Sequence, residues 1–292
     1  MEARHDLTDR TVPANDPGAA GLDLDAYFRR ISYHGERAAT LAVLRRLHYL
    51  HPQAIAFENL DPLLGRPVKL DLASIQDKLV RSRRGGYCFE HNLLFWRVLS
   101  ALGFQVTGLA ARVMWGQPDE TVIPRAHMLL RIALDGETWL ADVGFGRMTL
   151  TAPLRLAAGV VQSTPHEDYR IVDGGDHFRL QAAVDGDWRP VYHFDLQPQQ
   201  PIDYRVSSYY MATHPQSHFT WTIMAARPTP EGRFTLSNDR LTFRGLDGTN
   251  RQRRLESTDD FVETFRTDFG VDIPDQAGFA ARIRTTGILK DA

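Results

Sequence analysis

The chain has 292 residues, 43% of them hydrophobic, with 34 basic and 36 acidic side chains and a formal charge of −2. That length supports a substantial core and two or three subdomains, and a balanced charge with no basic block argues against nucleic acid as a partner. One cysteine, Cys88, excludes an internal disulfide framework and a zinc site built on cysteine pairs.

Residues 1–21 are polar, contain Pro and Gly, and show no h-region of a signal peptide; they are read as a flexible lead-in. The longest apolar run, Leu93 to Phe104, is broken by Arg97 and is too short to span a bilayer. A soluble, cytoplasmic protein is expected.

From Leu22 to about Leu102 the pattern is helical. Leu41, Leu44 and Leu47 recur at helical spacing and mark one buried face. After a turn-rich link, "LASIQDKLV" sets Ile75 four residues before Leu79. "CFEHNLLFWRVLSAL" is apolar on nearly every side, as a helix buried all round would be.

Beyond Gly103 the segments become short and β-rich: "FQVTGLAARVMW", "HMLLRIAL", "TWLADV", "DYRIV", "HFRLQAAV" and "WRPVYHF". Turn signals fall between several of them, "DG" at 135–136, "DGGD" at 173–176 and "DGD" at 185–187. The spacing predicts antiparallel hairpins closing into a barrel or a small sandwich. A third region from near Ser207 carries strands in "HFTWTIMAA", "RFTL" and "LTFRG". It then forms a helix over 258–269, with a Ser257/Asp260 capping box and Gly270 as the stop.

The lone thiol lies in "RSRRGGYCFEHN", just after Gly85 and Gly86 and at the start of the buried helix. A free cysteine is commonly a small buried hydrophobe. A helix N-terminus, however, offers unpaired N–H groups and the positive end of the dipole, which favour a thiolate. If Asp135–Gly136 are the two central residues of a hairpin, Leu134 faces Glu137 and His127 faces Gly144. Asp142 then lies diagonal to His127 on the same face; a three-residue loop would put the two on opposite faces. A carboxylate fixes the imidazole tautomer, and the imidazole can take the thiol proton. Cys88 as nucleophile, His127 as general base and acid, and Asp142 as orienting carboxylate therefore compose a candidate triad.

Other groupings carry less. Cys88, His91 and His127 as metal ligands lack any HExxH or CxxC spacing, so no metal is expected. "VGFG" at 143–146 is too short for a dinucleotide fingerprint. Glu58 and Arg84 are charges beside apolar sequence, either two surface charges or a buried pair bracing the Cys88 loop.

With these residues in hand, the sequence resembles the arylamine N-acetyltransferases, particularly the bacterial ones. The matching pieces are "AFENL" at 56–60, "RRGGYCFEHN" at 83–92, "RAHMLL" at 125–130, "ADVGFG" at 141–146 and "THPQSHF" at 213–219, in the family's order. They extend the likeness from about Asp23 to Gly270. The resemblance implies an α+β fold: a helical bundle over 22–103, an antiparallel β-barrel over 104–206 and an α/β lid over 207–292, with a cysteine-protease-like triad. It also implies ping-pong transfer from acetyl-CoA, through an acetyl-cysteine, to an arylamine or hydrazine. By the same resemblance Phe57, Phe89 and Phe145 would wall the acceptor pocket, and Phe145 and Gly146 would border pantetheine. Met211 is read either as lining that channel or as core. Arg244 is a candidate for the CoA phosphates, or else a solvated surface charge. Relatives often carry Tyr where Phe89 stands, and Thr or Ser where Ala126 stands. The same triad would also serve an amide synthase working on a larger acyl thioester, or a cysteine amidase or peptidase. A monomer or homodimer is expected, with small molecules as partners and neither membrane nor nucleic acid.

Overall fold

The computed structural model describes residues 21–118 and 120–289. The lead-in read over 1–21 lies, Gly21 apart, outside them. Helices come first: α1 (Leu24–Arg30), α2 (Leu41–Ala54), α3 (Leu60–Leu63), α4 (Leu72–Gln76) and α5 (Cys88–Ala101), with a two-residue strand β1 (Phe57–Glu58) between α2 and α3. The Asp23 carboxylate accepts from Ala26 N at 2.8 Å and starts α1, and Thr40 Oγ1 accepts from Val43 N to start α2. Leu44 and Leu47 are buried as the spacing predicts, while Leu41 is half-buried. At the head of α5, Glu90 Oε2 accepts the Tyr87 N–H at 3.1 Å. That is the carboxylate half of a capping box, and it sets Cys88 as the first helical residue.

Eight antiparallel strands follow: β2 (Gln105–Val113), β3 (His127–Leu134), β4 (Glu137–Ala141), β5 (Leu154–Arg155), β6 (Val161–Ser163), β7 (Asp168–Asp173), β8 (Phe178–Val184) and β9 (Asp187–Phe194). Their spatial order is β5-β4-β3-β2-β9-β8-β7-β6. The side chain of Gln162 joins the two edges: it accepts from Arg155 N at 2.7 Å and donates to Arg155 O at 2.8 Å. The result is a nearly closed barrel around Leu109, Leu129, Leu140, Tyr169, Leu180 and Tyr192. β3 and β4 meet as the two-residue hairpin expects, Leu134 opposite Glu137 and Leu130 opposite Ala141. Asp135 and Gly136 both take positive φ, 51° and 76°, the turn whose twist matches that of the strands.

The last region is built on α6 (Pro201–Thr213), the strands β10 (Met224–Thr229), β11 (Gly232–Ser237), β12 (Arg240–Gly245) and β13 (Asn250–Arg254), and the helices α7 (Thr258–Thr264) and α8 (Gln276–Thr285). α7 begins on the Ser257/Asp260 box and runs through a wider turn at 265–269 to Gly270, whose φ is 66°.

Two expectations change here. The boundary drawn at 206/207 falls inside α6, because Gln200 and Asp203 cap a helix that starts at Pro201. The strand placed in "HFTWTIMAA" begins only at Met224; residues 218–220 form a helical turn instead, with Ser217 Oγ accepting from Phe219 N. The five-stranded sheet takes its first strand from far upstream, since β1 pairs with β10, Phe57 opposite Ala226. β13 and α8 were not anticipated: β13 is exposed throughout, without alternation to reveal it. No helix among the described residues is long and apolar enough to cross a membrane.

Candidate active site

The hairpin and α5 bring the three triad candidates together. His127 Nε2 donates to Asp142 Oδ2 at 2.7 Å, and both side chains are essentially buried. The ring's Nδ1 is left for Cys88, whose Sγ lies 3.8 Å from the Ala126 carbonyl, one residue before His127. Asp142 Oδ1 accepts from Asn92 Nδ2 and from Gly144 N, both at 3.0 Å. Asn92 is one helical turn after Cys88, so the same face of α5 presents the thiol and holds the Asp142 carboxylate. Its amide also donates to Met128 O at 2.7 Å and accepts from Val143 N at 3.1 Å. His48, on α2, accepts the Asp142 backbone N–H at 3.1 Å through Nε2.

These contacts set the charges. Burial disfavours the His127 cation, but the adjacent Asp142 carboxylate overrides it and raises the imidazole to about 10. For Asp142 burial works toward protonation; His127, Asn92 and the Gly144 N–H together win and hold the carboxyl below the ordinary range. Around neutral pH the pair is therefore imidazolium and carboxylate.

The loop before Cys88 rests on a buried charge cluster. Arg84 donates to Glu58 Oε1 through Nε and Nη2, at 3.1 and 2.7 Å, and through Nη2 to Asp61 at 3.2 Å. Lys78 Nζ sits 2.7 Å from Asp61 and 2.8 Å from Glu90. Of the two readings left open for Glu58 and Arg84, the geometry has the buried pair. Replacing Arg84 with leucine would leave the Glu58 carboxylate buried without its fork of donors, and the expected cost is about 3–5 kcal/mol. Urea unfolding of R84L measures it; a loss below 1 kcal/mol would reduce the pair to a surface-like contact. Gly85 is required by proximity: a Cβ there would stand 2.2 Å from Ala56 O.

Cys88 and His127 open into a cleft of about 510 Å³ walled by Phe57, Phe145, Met211, Phe219 and Trp115. That size suits a small aromatic ligand. Phe145 stands edge-on to His127, with ring centroids 5.2 Å apart. Tyr192 lies tilted against the same imidazole, also at 5.2 Å. Gly146 does not line the cleft; it gives Phe57 its seat, because a Cβ there would come within 3.1 Å of the Phe57 ring.

Phe89 is a correction. Its side chain is turned into the core, 1% exposed, between Tyr87 and Tyr204. One step along α5 rotates a residue about 100° away from Cys88, so sequence adjacency does not put it beside the sulfur. Arg244 also lies away from this cleft. It borders a second cavity of about 470 Å³, lies 3.5 Å from Asp185, and meets the first cavity only through their common walls Trp115 and Arg147. Among the described residues no group of three or more His, Cys, Asp or Glu could hold a metal ion.

Sequence reasoning passed over Asn92, His48, Tyr192 and Phe219. Asn92 had a usable signal, the i+4 spacing from Cys88; His48 and Tyr192 had none, because they reach the site across the fold. Gly144 is equally close-set: a Cβ would stand 2.9 Å from both Cys88 Cα and His91 Cβ. We expect Gly144→Ala to push α5 off the hairpin, costing about 1–3 kcal/mol and most of the activity. Thermal unfolding and initial rates measured together check this, and a variant with wild-type values for both would refute the tight contact.

A sequence profile described as N-acetyltransferase matches residues 40–277. The chain is 46% identical over 258 residues to an arylamine N-acetyltransferase of Mycobacterium tuberculosis, covering 87% of this chain and 91% of the relative. It is 43% identical over 253 residues to one from Escherichia coli, covering 86% and 90%. The fold superposes on the structure of Mycobacterium marinum arylamine N-acetyltransferase with a TM-score of 0.87 at 42% identity, covering 90% and 99%. It also superposes on that protein in complex with CoA, with a TM-score of 0.86 at 42% identity and the same coverage.

Proposed function

The chain belongs to the arylamine N-acetyltransferase family, and on that footing we infer that it moves acetyl from acetyl-CoA to aromatic amines and hydrazines through an acetyl-cysteine at Cys88. The observation that carries this reading is the Cys88, His127 and Asp142 set opening into an apolar, aromatic-walled cleft.

The geometry supports a balanced proton cycle. The Cys88 sulfur attacks the acetyl carbonyl of acetyl-CoA, forming a C–S bond. The tetrahedral adduct collapses with the CoA sulfur as leaving group, and His127, protonated at rest, gives it a proton. The neutral imidazole then takes a proton from the amine as its nitrogen attacks the acetyl-cysteine. Cys88 leaves as thiolate, restoring the starting charges. Asp142 keeps Nε2–H bound throughout, so Nδ1 is the nitrogen that shuttles the proton.

Phe57, Phe145, Met211 and Phe219 would receive the acceptor ring, with Phe145 and Met211 also bordering pantetheine and Gly146 acting through the seat of Phe57. Arg147, in the wall common to the two cavities, and Arg244 beyond it offer cations toward the CoA phosphates. Drawing on acetyl-CoA, the enzyme works in the cytoplasm as a monomer or homodimer.

Intact-mass measurement tests the reading. With acetyl-CoA and no amine, the protein gains a single acetyl group, which disappears on adding an arylamine as the acetylated amine accumulates. Absence of an adduct with acetyl-CoA, but formation of one with a larger acyl thioester, would point to amide synthesis. Discharge to water at the rate seen with amine would point to hydrolysis.

A further inference from the structure

Behind the catalytic loop runs a line of buried polar groups that the acetyl-transfer steps do not use. Tyr27 on α1, His51 on α2 and His91 on α5 are each fully buried. Tyr27 Oη lies 2.9 Å from His51 Nδ1, and His51 Nε2 lies 3.0 Å from His91 Nδ1. His91 Nε2 ends the line against two backbone carbonyls, Gly86 O at 3.1 Å and Ala56 O at 3.2 Å.

Only one proton arrangement satisfies every member. Carbonyls can only accept, so His91 Nε2 carries its proton and donates. A neutral His91 then accepts at Nδ1, so His51 Nε2–H donates to it. His51 Nδ1 accepts in turn from the Tyr27 hydroxyl. Burial holds both rings neutral: His91 is pushed down to about 4, and His51 well below its usual value by burial and then by the neighbouring His91, His48 and Arg30.

The two carbonyls at the end of the line belong to the segments that define the site. Gly86 O also accepts Glu58 N–H at 2.8 Å, and Ala56 O accepts Gly86 N–H at 3.4 Å. Phe57 and Gly86 form a parallel bridge there. Cys88 follows Gly86 by two residues, and Phe57 follows Ala56 by one. We propose that Tyr27, His51 and His91 form a one-way hydrogen-bond chain whose end, at the Ala56 and Gly86 carbonyls, holds the nucleophile Cys88 and the pocket wall Phe57 in register. All three are positioning residues; none touches substrate. The proposal rests on Cys88 being the nucleophile.

Long-range 1H–15N correlation of the histidine rings at neutral pH reads the chain directly: His51 and His91 are expected as neutral Nε2–H tautomers. A proton on Nδ1 of either ring, or a cationic ring, would overturn it. Function is read on variants. His91→Leu is expected to slow acetylation of Cys88 at saturating acetyl-CoA by about tenfold or more, as a displaced nucleophile does, with KM for acetyl-CoA nearly unchanged. Tyr27→Phe, which deletes one distant hydroxyl, slows it by about threefold, and His91→Gln, which returns an N–H at the Nε2 position, regains most of the rate. Cys88 alkylation by iodoacetamide, measured on the same proteins, follows the same order and needs no acetyl transfer. It therefore decides the matter even if wild-type protein takes up no acetyl group. Should His91→Leu fail to fold, the other two variants carry the test. Wild-type acetylation and alkylation rates in the folded variants would refute the positioning role.

Discussion

Cys88→Ala protein takes up no acetyl group from acetyl-CoA and turns over no arylamine, while unfolding at nearly the wild-type temperature. Among the described residues the Cys88 sulfur lines the cleft beside His127, where the proposed covalent intermediate would form. Without it the two-step route closes, and only the direct reaction of bound amine with bound thioester is left. In triad enzymes such residual catalysis, from binding and orientation alone, falls several orders of magnitude below the intact rate. Folding should survive, since one sulfur among large aromatic neighbours contributes about 1 kcal/mol of packing. Intact mass, initial rates and a melting curve measured on one preparation decide the point. Retained turnover at a tenth of the wild-type rate or more would remove Cys88 from the mechanism.

Asp142→Asn should lower the acetylation rate by about 10³–10⁴-fold with little change in shape. Asp142 Oδ1 already accepts from Asn92 and from Gly144 N, so the asparagine carbonyl will keep that position and turn its NH₂ toward His127. A donor facing Nε2 forces the imidazole to accept there and to carry its proton on Nδ1, the nitrogen that must receive the proton from the amine. The variant therefore holds the wrong tautomer. It also loses the charge that lifts His127; burial then dominates and moves the imidazole below its ordinary value. Rates measured across pH should show both effects, and a near-normal rate would make Asp142 merely structural.

The same substitution has a stability signature. His127 is raised in the folded state, so its contribution is full below about 6.5 and is lost as pH rises toward about 10. Asp142 is depressed, so its contribution is full above about 3.9 and is lost as pH falls through its folded-state value. The melting-temperature gap between wild type and Asp142→Asn should thus be widest between about pH 4 and 6.5 and close toward either extreme. A gap independent of pH would mean the ion pair does not form.

Much of this site was legible from residues close together in the chain. The two-residue turn at Asp135–Gly136 dictated which face His127 and Asp142 occupy, because strand pairing propagates one register along the hairpin. The glycines before Cys88 and the apolar run after it marked a buried helix beginning at the thiol. Ser257 and Asp260 marked the start of α7 by local hydrogen bonding alone. Family motifs in order linked these pieces, and the profile match agrees with them.

What tertiary structure alone decided concerns contacts between residues far apart in sequence. Phe89 stands next to Cys88 in the chain but is swung by the helical rotation into the core, whereas Phe219 reaches the cleft from the helical turn after α6. β1 is only two residues long and becomes a strand because β10 offers it partners. β13, with no apolar alternation, is a strand because β12 pairs with it. Asp61, Lys78 and Glu90 join the Glu58–Arg84 pair only when three segments pack together. Propensity, turn chemistry and periodicity act over a few neighbouring residues and can be read along the chain. Burial, and the pairing of polar groups that burial demands, depend on which distant segments fold against one another.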